Sequence, residues 1–402
     1  MKAVATKIGV ILLMISASAQ GQGMLSIGQK NDYKENVPLT VNVTAGGGYD
    51  HTVYGQQSNG VNNVDSGFIQ GGFGLRHASS DHITKTVTGA DFSVIQYLDD
   101  IRGGQQTYYN ARVSFDLEHA FNRRLSMSDN FYMAYEYQPD YTVGITSNSS
   151  MGQYLYGYNN FAVSYAWSDR FATTTSYTAS GIHYQDSADE LNDRFTHVLA
   201  QVFTYKRSRT TAVNVEARFE YDNYPQFPGS SSTPSPNYTA FYLLVGVDHG
   251  WSPTLTGSLK VGAQYYDSDR IQKTEPYLES ALNYAVSRVT NVRWYQQLGF
   301  DGSNIGDYDA EYSYRTGIIA SQRITEKLTG NAGIHYVHSN YKGNDTNPST
   351  TDNEINASVG MNYKFWKNLS VDANYSYTTI ASDIASRDYN RNYTTLGLNA
   401  SF

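Results

Sequence analysis

The first chemistry this sequence offers is a set of charged side chains at alternate positions of extended segments. Arg112, Arg218, Arg293 and Arg315 share strand faces with Glu216, Glu220, Glu279 and Glu311, since side chains two apart on a strand point the same way. On the wall of a pore such charge tunes ion passage; between neighbouring strands it is neutralised across the wall. The acidic excess, a net charge of -8, favours a weak cation preference over an anion one. A second group is aromatic: Tyr154, Tyr156 and Tyr158, followed by Asn160, form a ladder on one face opposite Phe161, Val163, Tyr165 and Trp167. Tyrosine faces stack on sugar rings, and they also pack against each other at a rim.

Catalysis needs a nucleophile, a base and an orienting group that meet, and no convincing set is present. The nine histidines are scattered. His335 and His338 fall on opposite faces of a strand, which disfavours a shared metal. Asp81-His82 follows Ser79 and Ser80 in a short turn, where adjacency in sequence says little about triad geometry. Gly46-Gly47-Gly48 lacks the lysine and helix of a phosphate loop, so strand bending is the expected use of these glycines. The sequence therefore implies no enzyme, no cofactor and no metal.

What must position these side chains is a set of long strands. Val213, Val215, Ala217, Phe219 and Tyr221 alternate with Asn214, Glu216, Arg218, Glu220 and Asp222. Ala111 to Leu117 repeats the pattern around Arg112, and Ile355 to Phe365 extends it over about 11 residues, roughly twice the length of a soluble strand. Counting such segments from 39–49 to 391–402 predicts an all-β fold, a single transmembrane antiparallel β-barrel of about 18 strands. Short connections, among them Ser79–His82, Ser168-Asp169, Arg207–Thr210, Ser287-Arg288 and Trp366–Asn368, alternate with long ones at Asp50–Asp65, Asp222–Asn237 and Lys342–Asp352. Membrane barrels have short periplasmic turns and long extracellular loops; a soluble sandwich has no reason to keep its long loops at one end. Trp167, Trp251 and Trp366 at short connections predict a periplasmic aromatic girdle, and Tyr221, Tyr224, Tyr238, Tyr265 and Tyr266 the opposite one.

Composition agrees with that architecture. Met1–Ala19 carries Lys2 and Lys7, an apolar run from Ile8 to Ile15 and Ala17-Ser18-Ala19, the pattern of a secretory signal peptide. The apolar run is too short to cross a bilayer as a helix. Residues 20–38 follow as a short periplasmic segment, and 39–402 as the barrel. With no cysteine, an exported chain of this length relies on something other than disulfides, and a closed hydrogen-bond ladder supplies it. Tyrosine outnumbers phenylalanine 36 to 16, a bias toward strands with amphipathic aromatics. A mean hydropathy of -0.50 is no obstacle, because only alternate residues meet lipid. No basic stripe marks a nucleic-acid site.

The chain ends Leu396-Gly397-Leu398-Asn399-Ala400-Ser401-Phe402, which resembles the C-terminal signal of bacterial outer-membrane barrels. The resemblance implies insertion into the outer membrane, with its lipid around the wall, by the barrel-assembly machinery, which reads Phe402. Gly48-Tyr49-Asp50-His51-Thr52-Val53-Tyr54, Arg124-Leu125-Ser126 and Lys327-Leu328-Thr329 look like the putative β-barrel porin 2 type, some members of which are implicated in polysaccharide export. A barrel of 16 to 18 strands leaves an aqueous channel unless a segment plugs it, and the Asp222–Asn237 loop is the candidate constriction. The expected function is an outer-membrane channel or export conduit for hydrophilic solutes such as saccharides. The alternative is a non-conducting structural or adhesive barrel that binds partners through its long loops. An uptake barrel for apolar molecules would need an N-terminal hatch larger than residues 20–38.

Overall fold

The computed structural model describes residues 37–54, 63–101, 105–136, 153–185, 193–225, 237–269, 271–301, 308, 310–343 and 348–402. The proposed signal peptide, nearly all of the segment that follows it, and the middle of the 222–237 loop lie outside them. Eighteen strands follow one another: β1 (Val37–Tyr54), β2 (Val64–Ser80), β3 (Thr84–Ile101), β4 (Gln105–Ala120), β5 (Leu125–Glu136), β6 (Tyr154–Ala166), β7 (Phe171–Tyr184), β8 (Arg194–Lys206) and β9 (Thr211–Asn223). The second half comprises β10 (Tyr238–Ser252), β11 (Leu255–Ser268), β12 (Gln272–Ala285), β13 (Thr290–Asp301), β14 (Ala310–Arg323), β15 (Leu328–Lys342), β16 (Thr350–Lys364), β17 (Leu369–Ser382) and β18 (Tyr389–Ser401). A 3-10 turn, Ala385–Arg387, precedes the last strand.

Every strand is antiparallel to its sequence neighbours, and β1 pairs with β18 from Asn42↔Ser401 to Tyr54↔Tyr389, closing one 18-stranded barrel. Beside the last ladder rung, Val41 and Phe402 exchange backbone hydrogen bonds at 2.9 Å each way. Closure satisfies the edge groups that hydrocarbon could not. The glycines of β1 serve this seam. A Cβ on Gly48 would collide with the Thr394 carbonyl oxygen and the Phe68 ring, and one on Gly46 with the Leu396 carbonyl oxygen. Close approach to β18 thus accounts for Gly46 and Gly48, while a Cβ on Gly47 would meet the Phe68 carbonyl oxygen of β2 at 2.7 Å. Phe68 stacks on Tyr393 with centroids 5.1 Å apart.

The eight short turns have two to four residues each. Seven, all among the described residues, use one device: Asp81, Asn122, Ser168, Ser208, Ser252, Ser287 or Thr325 accepts the backbone N–H two positions on, and in five of them the next N–H as well. A side-chain oxygen here replaces a missing rung of the ladder. In the eighth turn Trp366 and Leu369 exchange backbone bonds at 3.3 and 3.4 Å. At the opposite end the connections are mostly longer, with two exceptions to the expected alternation. Residues 102–104 alone separate β3 from β4, and 269–271 separate β11 from β12, because these strands go on pairing, as at Ile101↔Gln105, beyond the predicted ends.

Alternation fixes which face is wet. On β9, Val213, Val215, Phe219 and Tyr221 are 36–41% exposed on the outer wall, while Asn214, Glu216, Arg218, Glu220 and Asp222 are at most 3% exposed on the inner one. A slip of one residue would turn every one of these charges toward lipid, where an arginine at midplane costs about 2–4 kcal/mol and a carboxylate less. Trp167, Trp251 and Trp366 stand exposed at short turns. The opposite girdle is only partly as expected. Tyr221 and Tyr265 face outward, but Tyr224, Tyr238 and Tyr266 are at most 4% exposed, with Tyr238 and Tyr266 on the inward phase of β10 and β11.

Candidate functional site: the inner wall

The inward phase of β9 to β12 assembles a closed set of two acids and two bases. The Arg218 guanidinium donates to Glu216 Oε1 from Nε at 2.8 Å and Nη2 at 2.6 Å, and from Nη1 to Glu279 Oε1 at 3.0 Å. Lys260 Nζ reaches Glu216 Oε2 at 2.6 Å and lies 4.0 Å from Glu279. Tyr277 donates to Glu279 at 2.5 Å, and the guanidinium lies over the Tyr242 ring at 5.0 Å. Just beyond it, Glu220 accepts from Tyr238 at 2.7 Å and Tyr242 at 3.0 Å. Gln264 clamps Phe300 through both main-chain groups. Register makes room for this: Lys260 pairs with Gly246, and a Cβ there would meet the Lys260 side chain at 2.9 Å. Lys260 therefore lies across β10 to reach β9. The cluster does not rely on neighbouring strands alone, since Arg218 of β9 reaches Glu279 of β12.

Three smaller sets occupy the same half of the wall. Arg315 holds Asp301 at 2.6 Å and stands 3.7 Å from Glu311, which accepts from Ser339 at 2.5 Å. Arg387, from the 3-10 turn, holds Asp352 at 2.7 Å. Arg391 grips Asp50 across the seam at 2.6 and 3.0 Å, with Tyr97 and Thr52 donating to the same carboxylate at 2.8 Å each.

The sequence-predicted residues fall on the inner wall as follows. Arg112 donates to Glu136 at 2.8 and 3.1 Å and covers the Tyr132 ring at 4.7 Å. Tyr154 donates to Glu136 at 3.2 Å. Tyr154, Tyr156 and Tyr158 do lie on one inward face, but only Tyr156 keeps substantial exposure; Tyr154 and Tyr158 are buried, and Tyr132 approaches Tyr156 with centroids 5.9 Å apart. Arg218, Glu216 and Glu279 come together, as do Arg315 and Glu311, whereas Glu220 binds tyrosines. Arg293 joins none of them. It shares the inward phase of β13 with Tyr295 and Gln297, is in no ion pair among the described residues, and its Nε has no hydrogen-bond partner. Lys260, Asp301, Asp50 and Arg391 were missed, although Lys260 stands in phase with Ser258 and Gln264 and is legible on that ground. In the loop expected to constrict the barrel, only the ends are described, where Tyr224 N–H donates to Asn237 Oδ1 at 2.7 Å.

A closed barrel with an apolar outside and an ion-paired, hydroxyl-rich inside is the geometry on which the comparison with known proteins bears. The family described as Putative beta-barrel porin 2 matches residues 170–402, more than half of the chain. The chain belongs to this family. This β-barrel porin resides in the bacterial outer membrane. No curated relative matches it. Among solved structures the porin is similar to OccAB4 of Acinetobacter baumannii, at 10% identity and a TM-score of 0.46 over 92% of this chain and 100% of that one. It is also similar to OpdK of Pseudomonas aeruginosa crystallised with vanillate, at 10% identity and 0.47 over 90% and 99%. A BenF-like porin from Pseudomonas fluorescens Pf-5 matches at 9% identity and 0.47 over the same shares. Chemically, the porin's inner wall offers fixed charges that are mostly neutralised in place, with Arg293 as an uncommitted cation.

Proposed function

We propose that the barrel is a passive channel for small hydrophilic solutes, with neutral or weakly charged molecules, saccharides among them, as the favoured class. The observation that carries this reading is the pairing of wall charges with one another. Such pairs leave little net field along the wall to select strongly by sign, while their hydroxyl, amide and tyrosine neighbours offer hydrogen bonds and ring faces to a polyol. Tyr156 and Tyr132 beside Arg112 are the best-placed contacts for a sugar ring. An exopolysaccharide conduit is the extended form of the same reading and fits the family resemblance. The test is single-channel conductance of the refolded mature protein in a planar bilayer, titrated with oligosaccharides. Discrete steps that sugars block, and that lose the block in Tyr156→Ala, are expected; conducting steps indifferent to sugars would remove the saccharide class.

One observation favours the alternative, a non-conducting surface barrel. Toward the long-loop end the inner wall is dry: Tyr266, Gln264 and Glu220 have essentially no exposure. A folded barrel that passes no current while deletion of residues 226–236 abolishes surface binding would support that reading over the channel.

A further inference from the structure

The cations of the short-turn end are distributed unevenly, and the unevenness points to a ligand. The three consecutive turns 121–124, 167–170 and 207–210 carry Arg123, Arg124, Arg170, Arg207 and Arg209 against one acid, Asp169. The other five short turns carry Arg288, Lys327 and Lys367 against Asp81 and Glu326. All five arginines are exposed, and none is in an ion pair among the described residues. The contrast with the inner wall is sharp, because there nearly every guanidinium has a carboxylate within 4 Å.

A second, independent feature places this arc at a membrane surface. Phe121, Trp167 and Tyr205 stand at the same three turns and are 55%, 59% and 48% exposed. Tyr205 is on the outward phase of β8, and the Trp167 indole N–H donates to the Thr173 hydroxyl at 3.0 Å, holding its ring against the outer wall. Amphipathic aromatics settle at headgroup level. The neighbouring guanidiniums then lie among phosphates, whose geometry suits their planar fork. Turns two strands apart are about 10 Å from each other, so the arc meets a row of headgroups at once. The outward acid of this sector, Asp129, accepts the Asn159 amide at 2.8 Å and lies about 13 Å further along its strand from Leu125.

We propose that the β4–β5, β6–β7 and β8–β9 turns form a binding arc for anionic phospholipid headgroups in the leaflet that meets the short turns. The refolded barrel is reconstituted in vesicles of phosphatidylethanolamine with a minority of phosphatidylglycerol, extracted with its lipid annulus, and the annular lipids are quantified. Phosphatidylglycerol should be enriched over the bulk. The R123Q/R124Q/R170Q/R207Q/R209Q variant should lower that enrichment on the order of tenfold, whereas R288Q/K327Q/K367Q should change it little. Should the fivefold variant not insert, 1 M salt on the wild type replaces it: with the Debye length cut to about 3 Å, enrichment should collapse. No enrichment, equal loss in both variants, or enrichment indifferent to salt would overturn the proposal. So would displacement of the lipid by soluble dextran sulfate, which would assign the arc to a soluble polyanion.

Discussion

The two halves of the inner wall solve different problems. Toward the short turns the inward polar residues interact with adjacent strands, and the carboxylates among them are held by asparagines instead of cations: Ser164 meets Thr174 at 2.8 Å, Asn362 donates to Asp372 at 2.6 Å, and Asn130 donates to Asp116. Toward the long loops they are large and charged, and their contacts skip strands, as Arg218 of β9 does to Glu279 of β12 and Arg387 does to Tyr341 of β15. In the first half, side chains reinforce pairings that the ladder already makes. In the second, side chains lock together strands that share no ladder, and this is also where ordered charge faces the lumen. Buried ion pairs are weak contributors to stability when compared with apolar replacements, yet removing one partner is costly. The long-loop half should therefore be intolerant of single changes at its charges, and the short-turn half tolerant.

The largest expected effect tests that contrast directly. Arg218→Met leaves Glu216 and Glu279 buried with only Lys260 between them, and should cost about 3–5 kcal/mol in urea unfolding of the refolded barrel. Asp116→Asn in the short-turn half should cost under about 1 kcal/mol. Equal costs would end the distinction. Next comes Gly246→Val, whose added side chain meets both the Asn214 amide and the Lys260 stem and should destabilise by about 1–3 kcal/mol. Combining it with Lys260→Met should return part of that loss, and strict additivity would show that the glycine has no special relation to the lysine.

How much of this was readable beforehand depends on what each signal needs. The wall of β9 was legible because its apolar and charged residues alternate without exception from Val213 to Asp222. The seam was half legible: Phe402 and the Gly48–Tyr54 segment stood out, but the Asp50 to Arg391 pair joins residues 341 positions apart and follows from closure alone. Tyr238 and Tyr266 were misplaced because tyrosine suits a lipid interface and a polar interior equally well, so its type carries no phase. The charges could be assigned to the inner face, but not their partners. Arg218 of β9 meets Glu279 of β12 across β10 and β11, a matter of register over three ladders.

Arg293 sharpens the comparison from the side of function. It is an inward arginine with no ion pair among the described residues, so Arg293→Gln should leave unfolding within about 0.5 kcal/mol of wild type yet shift the reversal potential of any conducting channel toward cations. Arg391→Gln should do the reverse, destabilising through the orphaned Asp50 more than it alters selectivity. If Arg293→Gln unfolds the barrel instead, its contacts have been underestimated and the paired and unpaired arginines do not differ in kind.

The smallest effect concerns the two ends, where the halves should behave alike. Asp81 in a short turn accepts the Thr84 and Ile83 N–H groups, and Asp383 at the long-loop end accepts the Thr351 hydroxyl and N–H. These donors hold both carboxyls below the usual carboxylate range. A carboxyl depressed on folding contributes stability that is complete above its unfolded value, near 4, and is lost as pH falls through the lower folded one. Asp81→Asn and Asp383→Asn should therefore each flatten the acid limb of the stability curve below about pH 4, by similar small amounts. An amide oxygen can still accept both N–H groups, so the variants should match wild type at the bottom of that limb and fall below it only at neutral pH. A flattening confined to one end would mean that the turn device and the loop contact are not equivalent.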